Sequence, residues 1–173
     1  MSYQFKSART MFSQTTDKTV ANTVTETTLI DGGVGNLTIQ ANSLKVGDTI
    51  RLALLGYHSG VSNPTIRVKV KTNSTVQLDT GAVGSANSTN ELVQLNALLT
   101  VRSIGASGSI IGHGYYQELG AGIGNFPMVN TAAVTIDTTI DQVLDITVEW
   151  GTASASNTIT STNVLIEILR PIA

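Results

Sequence analysis

The sequence has no cysteine, which excludes disulfide staples, cysteine-ligated zinc and thiol nucleophiles and leaves stability to packing and assembly. Charge and aromatics are scarce, at 13% and 5% of residues, and threonine, serine, asparagine, glycine and valine stand where lysine and glutamate are usual. Ten basic and twelve acidic side chains give a formal net charge of −2. The chain therefore lacks the positive footprint that phosphate backbones or anionic headgroups select, and neither nucleic acid nor a membrane is an expected partner. No apolar run approaches the roughly 20 residues that cross a bilayer, and the first twenty residues hold no signal-peptide core, so the expectation is a chain synthesised in the cytoplasm and kept soluble. The three Asn-X-Ser/Thr triplets, at Asn36, Asn73 and Asn87, then have no secretory meaning and read as asparagines beside turns.

What is present is punctuated β-structure. At 173 residues the chain fits one domain around one core. From about residue 20 onward, short runs of threonine, valine, isoleucine and leucine alternate with clusters of glycine, asparagine, serine and aspartate, the pattern of strands and turns. Strands are expected at 22–30, 36–40, 48–59, 64–71, 75–79, 90–105, 108–118, 132–137, 141–150 and 160–171. No stretch holds a 3.6-residue apolar period, so the fold class is all-β: an antiparallel β-sandwich, jelly-roll-like by strand count, over residues 21–173. The glycine-rich passage 118–130 reads as a long loop.

Leu144, Ile146, Val148 and Trp150 occupy alternate positions with Asp145, Thr147 and Glu149 between them, which predicts one buried and one wet face. In "RVKVK", Arg67, Lys69 and Lys71 alternate with apolar residues and read as a solvated strand face or a protected edge. Along 92–101, Val93, Leu95, Ala97, Leu99 and Val101 share one face while Leu92 and Leu98 add apolar area to the other, suggesting a core on one side and a neighbour on the other.

Candidate chemistry is thin. The two histidines, His58 in "GYHSG" and His113 in "IGHGYY", have no metal-ligand spacing, and "GYHSG" places histidine where a nucleophile elbow needs serine. The glycine-rich "DGGVG" and "GAGIG" complete no phosphate-binding pattern, and the carboxylates are scattered. The reading is a non-enzyme with no catalytic residue, cofactor or metal. Tyr57, His58, His113, Tyr115 and Tyr116 instead suggest a recognition or subunit-contact rim, each offering a flat body with a polar tip. Residues 1–20 show no strand periodicity yet carry Tyr3, Phe5, Met11 and Phe12. They read as an extended arm that either docks on another protein through those side chains or folds back on its own subunit.

Three phrases, "NTVTETTLIDGGVGNLTIQANSLKVGDTIRLALLGYHSG", "PTIRVKVK" and "DITVEWGTASASNTITSTNVLIEIL", give the chain from about residue 20 onward a text that resembles small β-rich virion proteins of tailed bacteriophages, among them head-decoration (cement) proteins and tail-fibre head domains. That resemblance implies a jelly-roll-like homotrimer with structural or adhesive duty. The absence of a heptad or collagen-like shaft favours decoration of the head. Its partners would be copies of itself and the major capsid protein or other virion proteins, and its place the capsid surface. The alternative is a tail-fibre tip that attaches to a host-surface glycan or protein through the Gly120 loop and the Tyr115 and Tyr116 neighbourhood.

Overall fold

The computed structural model describes residues 7–32, 37–120 and 124–171. These form fourteen strands: β1 (Ser7–Ser13), β2 (Lys18–Ala21), β3 (Thr27–Thr28), β4 (Thr38–Ile39), β5 (Thr49–Gly60), β6 (Thr65–Thr72), β7 (Thr75–Asp79), β8 (Val83–Gly84), β9 (Ser88–Ser103), β10 (Gly108–Glu118), β11 (Gly124–Val129), β12 (Val134–Ile136), β13 (Gln142–Trp150) and β14 (Thr158–Arg170). No helix occurs among the described residues. The larger sheet runs β1-β14-β5-β9-β10-β11, with β2 also on β14 and β12 also on β10. The smaller runs β3-β13-β6-β7, with β4 also on β13 and β8 also on β6. Every pairing is antiparallel.

Period-two alternation builds the core. Ile50, Leu52 and Leu54 of β5 and Val93, Leu95, Leu99 and Val101 of β9 are buried from the larger sheet. Ile66, Val68 and Val70 of β6 and Leu144, Ile146, Val148 and Trp150 of β13 are buried from the smaller, in the same apolar cluster. Each such side chain contributes about 1.5–3 kcal/mol by leaving water, so the two sheets form a sandwich-like pair around a shared interior.

Gly56 is required where β14 comes close. The β5–β14 register shifts between Ser161 and Asn163, and a Cβ at residue 56 would collide with the backbone oxygen of Thr160. Asn22, Asn42, Asn63 and Asn73 at turns or bends, and Asn90 near the start of β9, have positive φ, a conformation asparagine tolerates better than most residues. Asn73 also receives the Val143 amide at 2.8 Å, while Asn36 lies outside the described residues.

Several expectations are corrected. The amino-terminal stretch is not all arm: Ser7–Ser13 and Lys18–Ala21 both pair with β14. A register shift between Thr10 and Phe12 breaks the alternation that would have betrayed β1. Gln14 fastens the turn after β1, donating to the Ser161 carbonyl at 2.8 Å and accepting from the Asp31 amide at 3.2 Å. The expected strands 22–30 and 36–40 shrink to two residues each, at β3 and β4. The expected loop 118–130 contains β11, which pairs with β10 from Glu118↔Gly124 to His113↔Val129; its Pro127 is tolerated because β11 is an edge strand.

Candidate functional site

β5 and β10 each present alternate residues to opposite faces, and this divides the five expected rim residues. Tyr57, His113 and Tyr115 are exposed on the outer face of the larger sheet, whereas His58 and Tyr116 are buried on the inner face. The two histidines therefore share no site. Adjacent strand residues point to opposite sides, so Tyr57 with His58, and Tyr115 with Tyr116, were bound to separate.

His58 sits in a buried polar knot. Its Nε2 lies 3.8 Å from Glu118 Oε2, and both side chains are buried. The Tyr116 hydroxyl donates to Glu118 Oε1 at 3.4 Å and the Ala86 amide to Glu118 Oε2 at 3.2 Å. Ser85 Oγ is 3.4 Å from His58 Nδ1, and Ser88 Oγ is 3.3 Å from Nδ1 and 3.2 Å from Nε2. Burial lowers the His58 pKa, opposed by the Glu118 and Glu91 carboxylates. Burial also drives the Tyr116 phenol well above its usual range, with Glu118 acting in the same direction. Serine, histidine and carboxylate meet here, with Ser85 and Ser88 near Nδ1 and Glu118 near Nε2, but Ser85, His58 and Glu118 are all buried, away from the surface at which a nucleophile meets its substrate. The knot ties β5 and β10 to the 85–88 segment.

The outer face of the larger sheet is different in kind. Its registers set Arg51 beside Leu98 beside His113, Ala53 beside Asn96 beside Tyr115, and Tyr57 beside Leu92. Leu92 and Leu98 remain 48% and 49% exposed, with Leu55, Tyr57 and Tyr115 also open to solvent. A shallow depression of about 430 Å³ is lined by Arg51, Asn96, Leu98, His113 and Tyr115, among others. Arg51 is paired with Glu167 at 2.7 Å. The middle of the sheet thus presents leucine and tyrosine amid amides, with the Arg51 charge paired to Glu167. This face carries the apolar area expected from Leu92 and Leu98.

The basic stripe is not a solvated face. Glu26, just before β3, accepts Lys69 Nζ at 2.6 Å, Lys71 Nζ at 2.7 Å and Thr147 Oγ1 at 3.0 Å. Burial raises the Glu26 pKa, but these hydrogen bonds outweigh it and lower the value to about 2. Arg67 grips Asp79 through Nε and Nη2. The outer side of β13 is covered rather than wet: Asp145 and Thr147 are buried, and burial raises the Asp145 pKa although Thr28 donates to its carboxylate. The sequence reading places Glu26 inside an expected strand, and no local pattern links it to Lys69 and Lys71, 43 and 45 residues away.

Of the expected docking residues, Met11 and Phe12 pack, partly buried, against the chain's own core. Tyr3 and Phe5 lie outside the described residues. No group of three or more His, Cys, Asp or Glu that would hold a metal ion occurs among the described residues. No helix is long and apolar enough to cross a membrane among them. The chain matches no protein-family model and no curated protein.

Proposed function

We propose that this chain is a structural assembly protein of a phage virion, a head-decoration protein that forms a homotrimer and seats on the assembled capsid shell. The observation that carries the reading is the outer face of the larger sheet, where Leu55, Tyr57, Leu92, Leu98 and Tyr115 stay exposed in a single copy. Apolar area clustered on one face is what subunit contacts cover. At finer grain we infer a jelly roll. Taken as eight strands in chain order (β1 with β2, β3 with β4, β5, β6, β7, β9, β13, β14), the larger sheet orders first-eighth-third-sixth and the smaller second-seventh-fourth-fifth. That order supports two interlocked Greek keys, with β10 to β12 added beyond the sixth strand. A protein that binds the assembled shell and not its free subunits stabilises the shell by mass action. Particles lacking it are expected to release their contents at lower temperature than complete ones, and equal melting of the two would reject the clamp.

One observation favours a second reading, a tail-fibre tip that binds a host-surface glycan. The depression beside Tyr115 combines an aromatic ring with Asn96, His113 and Arg51, a mixture suited to stacking and hydroxyl recognition. Buried Tyr116 takes no part in it. Competition of the purified protein with phage adsorption selects this reading; no competition rejects it.

A further inference from the structure

At one edge of the sandwich the sheets part. β1 and β14 form the border of the larger sheet, and the smaller sheet answers with β4, only two residues long. The gap is a cleft of about 410 Å³, at the small end of the range for ligand sites. Met11 and Ile168 give it an apolar lining, Gln40 and Ser43 a polar one, and Arg9 and Arg170 bring two guanidinium groups. Among the described residues no carboxylate lines it.

The two arginines are not equivalent. Arg170 donates from Nε to Asp48 Oδ1 at 3.0 Å, from Nη2 to Asp48 Oδ2 at 2.7 Å and from Nη2 to the Ser43 carbonyl at 2.9 Å. Asp48 is fully buried, so this pair neutralises one charge and fixes the Arg170 plane at the cleft wall. Arg9, exposed on β1, makes no ion pair with a carboxylate among the described residues. The described lining thus carries one uncompensated positive charge next to apolar surface.

We propose that this cleft binds a carboxylate borne on a short apolar stem, with the carboxylate on Arg9 and the stem against Met11 and Ile168. A guanidinium fork matches a carboxylate in geometry. One free positive charge suits a monoanion, whereas a dianion brings charge that nothing in the cleft balances. The same chemistry reaches the cleft either as a free short-chain acid or as a glutamate side chain of a neighbouring polypeptide.

The test is titration of the full chain with hexanoate, followed by calorimetry and by amide shifts of residues 9, 40, 43 and 168. Parallel arms use hexanol, hexyl phosphate and an N-acetylated peptide ending in an amidated glutamate. Saturable millimolar binding of hexanoate is expected, with hexanol and hexyl phosphate each about tenfold weaker. Tighter binding of the peptide than of hexanoate identifies a polypeptide source, and the reverse a free acid. Arg9→Gln should weaken hexanoate about tenfold without moving the melting temperature, and Arg9→Glu should abolish it and admit hexylamine. Absent binding, equal binding of hexanol, or unchanged affinity in both variants overturns the proposal. The outcome is independent of self-association, which uses a different face.

Discussion

Replacing Glu26 by Gln removes the carboxylate on which Lys69, Lys71 and Thr147 converge. Lys69 is only 8% exposed, and its other acidic neighbour, Glu149, stands at 3.5 Å, so the variant leaves a largely buried ammonium poorly compensated. Lowering of the Glu26 pKa from 4.5 to about 2 sets an upper limit of about 3 kcal/mol at 1.36 kcal/mol per unit. Partial exposure of the glutamate side chain, 26%, screens part of this, and we expect a loss of about 2 kcal/mol at pH 7. The sign follows from linkage. A carboxylate with a depressed folded pKa stabilises fully above its unfolded value, and that contribution is lost as pH falls from about 4.5 toward about 2. Urea denaturation of parent and variant at pH 7, 4 and 2.5 reads both effects. The gap should narrow steadily toward the acid end. Equal stability at pH 7, or a gap that stays constant down to pH 2.5, would refute the assignment of Glu26 as the charge that holds the basic stripe.

Two further outcomes follow from the interior. Gly56→Ala places a methyl group against the Thr160 carbonyl oxygen and should cost about 1–3 kcal/mol by overpacking, read as a lower urea midpoint; an unchanged midpoint would contradict the close approach of β14. His58→Gln tests the knot. Burial holds the folded His58 pKa below 6.5, so its contribution is intact above the unfolded pKa and lost as pH falls below it. The parent should lose stability between pH 7 and 5 more steeply than the variant, and parallel curves would show that His58 does not titrate in this way.

The long strands were legible because alternation survives in them. Apolar residues fall on every second position from Ile50 to Leu54 in β5, from Val93 to Val101 in β9 and from Leu144 to Trp150 in β13, and one buried face imposes that period. β1 was illegible because its bulge shifts the period midway, and β11 because Gly124 and Pro127 read as loop residues while the ladder to β10 tolerates them at an edge. The rim around Tyr57 and His113 was half legible. The residue types stood out, but strand parity, available from Leu52 and Leu54 two-step to His58, was needed to send His58 inward. Burial of Asp145 and the role of Glu26 depend on a nearly strandless segment lying over β13 and β6, a long-range placement that no local pattern encodes. The arginine cleft likewise comes from the shortness of β4, which the sequence disguised as a five-residue strand.

The central claim is that copies of this chain cover the apolar outer face of the larger sheet. Sedimentation equilibrium of the parent and of Leu98→Asp tests it most directly. Leu98 is half exposed, so the substitution should leave the fold stable to within about 0.5 kcal/mol. The parent should sediment as a trimer and the variant as a folded monomer. A parent that stays monomeric at high concentration, or a variant that assembles as the parent does, would contradict it.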